Sequence, residues 1–200
     1  NEVDEGNRMY ARQSRFRVDA EMVRDAALRI SGLLLVQNGG YSAKPYQPAG
    51  YWKHLNFPKR KWNHDKGENQ YRRGLYTFWC RTFLHPSMLA FDAPSREECS
   101  AERTRSNTPQ QALVLLNDPT YVEASRVFAE QILQNGGSTD EARLEWAFRR
   151  ALSRKPLDQE RAILLDLLKS QLKQYDLNIE EAKRAASAGQ WPTAAVLTPE

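Results

Sequence analysis

Cysteine is scarce in this chain of 200 residues: there are 2, Cys80 and Cys99, and neither belongs to a CxxC motif. Covalent haem attachment and cysteine-ligated zinc both need closely spaced cysteines. We therefore expect neither group in this segment. The two thiols either form one disulfide bond or stay separate and buried, and the sequence leaves both states open.

Long apolar runs and histidines are scarce as well. No stretch has the roughly 18 consecutive apolar residues that a membrane-spanning helix needs, so we expect no membrane span in this segment. Histidine occurs 3 times, at His54, His64 and His85, and no two of them have metal-ligand spacing on a predicted helix. Glycine-rich phosphate loops, GxSxG and HExxH are also missing. The sequence thus predicts no metal and no cofactor bound by this segment itself.

The net charge of the chain is small, because 29 Lys and Arg residues against 25 Asp and Glu residues give +4. So small an excess predicts no nucleic-acid partner. The positive charge is concentrated in residues 53–73, where its carriers are Lys53, Lys59, Arg60, Lys61, Lys66, Arg72 and Arg73.

Residues 41–73 have no hydrophobic periodicity but are rich in proline, glycine and large aromatic residues. Disordered linkers are poor in aromatic residues, so this composition predicts a long ordered loop. Flat rings beside polar donors suit sugar stacking, which makes Trp52 and Trp62 candidate carbohydrate contacts. Rings also pack in domain interfaces, so contact with another domain of the same polypeptide is the competing interpretation.

Helical signals are strong at Asp19 and throughout the second half. Asp19 precedes apolar residues at three- and four-residue spacing, which predicts a first helix that ends by residues 38–40. Residues 75–80 are rich in β-branched and aromatic residues and predict an isolated strand or extended segment, with a buried helical turn as the alternative. Capping boxes and prolines at first helical positions predict later helices at residues 96–103, 109–117, 119–135, 139–153, 159–175 and 179–188.

The predicted fold class is mainly α, with a helical bundle in the C-terminal half, a long ordered aromatic loop and at most one or two short strands. We expect one domain over residues 1–200, with a helix and the irregular aromatic region in 1–94 and the bundle in 95–200. The first residue is not methionine, and residues 198–199 have the pattern of a helix start, so both ends are expected to be cut.

Three long strings carry a family resemblance: residues 72–79, 86–97 and 103–118, with shorter matches at 7–8, 17–25 and 46–52. The chain resembles the planctomycete domain of unknown function 1553. The resemblance implies the C-terminal domain of a large exported protein, and hence an extracytoplasmic location, at the periplasm or cell surface. It also implies that a c-type haem can be present in another domain of the full protein, and a link to polymer or carbohydrate use.

A polar cluster lies within the matched strings. Asp92 and Glu97 are candidate catalytic carboxylates, one as acid and one as base. Arg103 and Arg105, with the helix start at Thr108, could hold a carboxylate or phosphate. Buried charges need partners, so a salt-bridged scaffold that fixes loops to helix ends is the competing interpretation. The full set of candidate binding residues is Arg72, Arg73, Arg96, Arg103, Arg105, Asn107, Trp52 and Trp62.

Two hypotheses about function follow. The first is an accessory or interaction domain of a larger exported protein, with other domains of the same polypeptide, and carbohydrate, as its partners. The second is a hydrolase or lyase that acts on an anionic polysaccharide. The sequence leaves open whether the chain is an enzyme, because it has no recognisable nucleophile motif.

Overall fold

The computed structural model describes residues 4–13, 16–54 and 61–193. The predicted helix start at 198–199 lies outside the described residues, as do Lys59 and Arg60 of the basic segment. The helices run over α1 Ala20–Ile30, α2 Pro86–Ala90, α3 Pro109–Asn117, α4 Pro119–Asn135, α5 Asp140–Leu152, α6 Asp158–Leu177 and α7 Ile179–Ala186.

The irregular part contains three short 3-10 turns, at Tyr51–His54, Gly67–Tyr71 and Gly74–Tyr76. Two isolated parallel bridges, Leu35 with Arg72 and Ala43 with Thr77, are the strand-like pairings outside the helices, and no sheet forms in the described ranges. The predicted fold class, mainly α with at most one or two short strands, is confirmed.

The start of α4 follows the capping chemistry that the sequence predicts, whereas Asp19, the predicted cap of α1, makes no capping hydrogen bond through its side chain. Asp118 caps α4 by accepting the backbone N–H of Thr120 at 2.9 Å, and Pro119 occupies the first helical position. At α5 the cap is Thr139, whose hydroxyl accepts the N–H of Ala142 at 3.2 Å, so the helix begins one residue after its predicted start at 139.

The first helix is shorter than the apolar period suggests. α1 ends at Ile30, and the chain turns at Gly32, which has a φ of 77° and lies against the side chain of Gln131. This turn directs Leu33 into a core cluster against α4, whose members are Leu28, Leu33, Tyr71, Ala124 and Val127. Leu33 and Leu34 therefore pack in the core from a loop that follows the helix.

One predicted helix is wrong. Residues 96–103 form an irregular loop instead of a helix, and Arg96 has a left-handed φ of 63°. The strand or extended segment predicted at 75–80 is found in part: residues 74–76 form a 3-10 turn, whereas Thr77 makes an isolated bridge with Ala43 and residues 78–80 are not helical. The bundle consequently begins at Pro109, later than the predicted residue 95. The short helix α2 was not predicted.

The last three helices are loosely covered. α5, α6 and α7 contain no fully buried residue, although Trp146 of α5 packs on Phe128 of α4 with a 6.1 Å separation of ring centroids. Apolar side chains on α6 remain about half exposed, as at Leu167 (51%) and Leu172 (53%). This end of the bundle thus presents an open apolar surface.

Candidate functional site

Three of the predicted arginines, Arg73, Arg96 and Arg103, contact the first part of α1. This region carries three carboxylates, Asp19 at the N-cap position with Glu21 and Asp25 in the helix, called here the α1 carboxylates. Arg103 donates two hydrogen bonds to Glu21, at 2.8 and 3.3 Å, and lies 3.5 Å from Asp19. Arg96 lies 3.8 Å from the same Glu21 carboxylate. Negative charge is favourable near a helix N-terminus, so the helix and the arginines stabilise Glu21 and Asp19 together.

The ionisation of this group follows from its contacts. Partial burial acts to raise the pKa of Glu21, but the Arg103 hydrogen bond and the charges of Arg103 and Arg96 outweigh it, so the pKa lies below its ordinary value. The same hydrogen bond raises the pKa of Arg103. Arg96 also stacks its guanidinium over Trp79, with 3.9 Å to the ring centroid.

A second arginine contact lies one helical turn further along α1. Arg73 donates to Asp25 at 3.1 Å, and the backbone N–H of Gly74 donates to the other oxygen of Asp25 at 2.5 Å. Gly74 is needed here because a Cβ would lie 2.7 Å from the backbone oxygen of Glu21. Arg73 and Gly74 therefore hold the loop against the helix.

Asp92 is engaged by a single serine. Its carboxylate accepts the backbone N–H of Ser106 at 2.7 Å and the Ser106 hydroxyl at 2.8 and 2.9 Å. Next to it, Arg17 donates to Asn107 at 2.8 Å and to the backbone oxygen of Ser106, and it also contacts Gln111. These bonds fix the loop before α3 to the N-terminal segment.

A cleft of about 390 Å³ opens beside these groups. Asp92 and Arg103 line it, and so do Glu98, Glu102 and Cys99. The other predicted members are elsewhere: Glu97 and Arg105 are exposed and do not line the cleft. The structure thus brings Asp92 and Arg103 to one cleft and leaves the predicted partner carboxylate Glu97 outside it.

Arg72 serves a different loop. It is 2% exposed, donates to the backbone oxygens of Gln37, Gly39 and Tyr41, and stacks over the Tyr76 ring at 4.1 Å. Such carbonyls need donors when they are buried. Arg72 therefore anchors the turn that follows the first helix.

The aromatic loop packs largely on itself. Trp52 and Trp62 stack with ring centroids 5.3 Å apart, and Phe83 contacts Trp52 at 5.0 Å. Trp52 is buried and Trp62 half-buried, with its indole N–H donating to the Pro45 oxygen at 2.9 Å. The ring faces are used mainly for packing, and Trp62 is the more accessible of the two.

His85 lies beneath this aromatic cluster and is 4% exposed. Its Nε2 lies 2.8 Å from the Tyr46 backbone oxygen, which can only accept, so Nε2 carries the proton and Nδ1 accepts from Ser87 at 2.9 Å. Burial, and then the charge of Arg24, lower the pKa of His85 to about 4. The ring is therefore neutral at pH 7.

The sequence reasoning missed a group of buried charges on α4. Glu123 is 1% exposed, and Arg126 pairs with Glu130 with both side chains at most 6% exposed. Their partners come from the segment Ala188–Trp191, which follows α7. The available signal was the spacing: Glu123, Arg126 and Glu130 recur on the same face of α4 as the core residue Val127.

Other features of the site concern its thiols, metals and membrane contact. Cys80 is half-buried, Cys99 is exposed, and both are free thiols, so the thiols are separate but not both buried as expected. Across residues 4–13, 16–54 and 61–193, no three His, Cys, Asp or Glu side chains form a group that could hold a metal ion. No helix in the same ranges is long and apolar enough to span a membrane.

A comparison with family models bears out the resemblance drawn from the sequence strings. The model described as "Protein of unknown function (DUF1553)" matches residues 1–168, which include every quoted string. Neither the curated proteins nor the solved structures contain a match to this chain. Because the family model covers well over half of the 200 residues, the chain belongs to the DUF1553 family of proteins of unknown function.

Proposed function

We propose that this chain is a noncatalytic interaction domain of a larger exported protein, and that it docks another domain of the same polypeptide. The observation that carries the proposal is an apolar groove of about 570 Å³ between α4, α5 and α6. Asp140, Arg143 and Gln171 line part of it, and its other walls are the apolar residues Ala129, Ile132, Leu133, Leu144, Ala147, Leu164, Leu165, Leu167, Leu168 and Leu172. Large exposed apolar patches in proteins mark interaction sites.

The charged residues support the same proposal. Arg72, Arg73, Arg96 and Arg103 all have partners within the chain, and those partners are loop carbonyls, an aromatic ring or the α1 carboxylates. Arginines used in this way orient loops and leave less of their charge for a substrate.

The wider setting of the proposal comes from the family resemblance. This setting includes an extracytoplasmic location, a c-type haem carried by another domain, and contact with glycans. Trp62 is the ring through which a glycan would be contacted. Absorbance of the intact protein at the haem Soret band tests the haem. Binding of soluble polysaccharide to the chain and to a Trp62→Ala variant tests the glycan contact.

The docking proposal is tested by hydrogen exchange of the intact exported protein. Leu168→Asp places a charge in the groove, and Lys169→Asp is the matched control on the next residue of α6. We expect faster exchange in α6 and in a segment outside this chain for Leu168→Asp, and unchanged exchange in that outside segment for Lys169→Asp. Equal exchange outside this chain in both variants would overturn the proposal.

If Leu168→Asp unfolds α6 itself, Leu172→Asp takes its place, because Leu172 is 53% exposed and tolerates a charge in the free helix. The same outcomes then apply. Turnover of any polysaccharide by this chain alone would overturn the noncatalytic part.

A second candidate function is a hydrolase or lyase that acts on an anionic polysaccharide. It is favoured by the cleft of about 390 Å³, where the Asp92 carboxylate and the Arg103 guanidinium share one opening. Polygalacturonate incubated with the protein would then release reducing ends or unsaturated products, and Asp92→Asn would abolish the release. Glu97→Gln tests the second predicted carboxylate in the same assay.

A further inference from the structure

A short segment after α7 returns to the core and contacts it through backbone groups and through the side chains of Gln190 and Trp191. The segment is Ala188–Trp191, called here the strap. One oxygen of Glu123 accepts the backbone N–H groups of Gln190 and Trp191, both at 2.6 Å, and the Tyr71 hydroxyl at 2.9 Å. A carboxylate that is 1% exposed therefore obtains most of its hydrogen bonds from the strap.

Arg126 donates hydrogen bonds to two backbone carbonyl groups of the same segment. Its Nε donates to the oxygen of Ala188 at 2.8 Å, and its Nη2 donates to the oxygen of Trp191 at 2.6 Å. Glu130 holds the remaining guanidinium nitrogen from one helical turn away. Two backbone donors and two backbone acceptors of the strap are thus matched by buried, charged side chains.

The site also selects side chains at two strap positions. Gly189 has a φ of 89°, and a Cβ at this residue would overlap the carboxylate of Glu123. Trp191 packs edge-on to Tyr71, with 5.5 Å between ring centroids. Recognition therefore requires glycine two residues before an aromatic residue.

From these contacts we propose that Glu123, Arg126, Tyr71 and Tyr46 form a peptide-binding site whose resident ligand is the chain's own strap. Tyr46 belongs to the site because Gln190 N–H also lies 3.1 Å from its hydroxyl. The class of ligand is a short peptide with the pattern glycine, any residue, tryptophan. This inference is independent of the function proposed above.

The strap is an exchangeable ligand because the two helices before it, α6 and α7, bury little of their surface. α6 and α7 have no fully buried residue, so the strap is the main anchor that returns this part of the chain to the core. Its covalent attachment gives it a high effective concentration, which excludes a free peptide of equal affinity. A free peptide will therefore bind only when the resident strap is weakened.

The test uses the whole chain with Gly189→Ala and a fluorescent peptide with the sequence of residues 187–193. Gly137→Ala is the matched control, because Gly137 has the same φ of 89° and does not contact Glu123. Fluorescence anisotropy should show the peptide binding about tenfold or more tightly to Gly189→Ala than to the unmodified chain or to Gly137→Ala. A peptide with alanine in place of its glycine should not bind.

Equal binding of the peptide to Gly189→Ala and Gly137→Ala would overturn the inference, and so would equal binding of the alanine peptide. If Gly189→Ala fails to fold, native-state hydrogen exchange of the unmodified chain decides. The amides of Gln190 and Trp191 should then exchange through an opening that leaves α1 and α4 protected. Exchange of these amides only through global unfolding would show that the strap is not exchangeable.

Discussion

His85 makes the stability of this protein depend on pH in a defined window. Its pKa is lowered to about 4 in the folded protein, from an ordinary value of 6.5. Between those two values the unfolded chain binds a proton that the folded chain does not bind, so stability rises with pH there and is lost as the pH falls from 6.5 towards 4. A shift of this size corresponds to about 3 kcal/mol of unfolding free energy.

The substitution that isolates this effect is His85→Gln. The glutamine amide can still donate to the Tyr46 carbonyl, as Nε2 does at 2.8 Å, but it does not titrate. Urea unfolding followed by circular dichroism gives the free energy of unfolding of both proteins at a series of pH values. We expect the unmodified protein to lose about 3 kcal/mol more than His85→Gln when the pH falls from about 7 to about 4.

The difference between the two proteins cancels the contribution of the carboxylates they share. A loss of stability in His85→Gln that is the same at all pH values does not bear on this prediction. Only the slope of the unfolding free energy against pH reports proton binding by His85. Between about pH 7 and pH 8 the two curves should run parallel. Parallel curves from pH 7 to pH 4 as well would refute the reasoning, since His85 would then titrate equally in both states.

Two further substitutions test the contacts around α1. Arg103→Ala removes the paired hydrogen bonds to Glu21 and should lower the unfolding free energy by about 1 kcal/mol. Arg105→Ala on the same loop is the control and should change the unfolding free energy by less than about 0.5 kcal/mol. Equal losses of unfolding free energy in urea would contradict the assignment. Gly74→Ala should lower the unfolding free energy by about 1–3 kcal/mol, because its Cβ would press on the backbone of Glu21. Gly6→Ala, where the Cβ would make only ordinary contacts, should leave the unfolding free energy in urea nearly unchanged.

The helices after Pro109 could be predicted because their signals are local. Asp118 and Pro119 specify one helix start with no help from the rest of the protein, and the start of α4 was predicted at the observed residue. The prediction at 96–103 failed because Arg96 and Arg103 bind α1 instead, and these contacts hold the segment in turns. Tertiary hydrogen bonds of this kind outweigh a capping pattern at a short segment.

The candidate site shows the same division between local and distant information. The arginines were recognised as residues that need partners, but Arg103 meets Glu21 across a sequence separation of 82 residues. No local pattern in the sequence pairs them. Glu123 was overlooked for a related reason, since its backbone partners at Gln190 and Trp191 lie 67 and 68 residues away and backbone groups leave no trace in a sequence.

The strap and the apolar groove both lie against α4, and this gives the two proposals a physical connection. The groove needs Leu164, Leu168 and Leu172 to be held opposite α4, yet α6 has no fully buried residue to hold it there. The strap provides that restraint, because α7 joins it to the end of α6 and Arg126 fixes it to α4. A released strap would allow α6 to move away from α4 and open the groove wall. A ligand that binds the groove while α6 lies against α4 therefore also stabilises the bound strap. The bound strap stabilises the bound ligand by the same free energy.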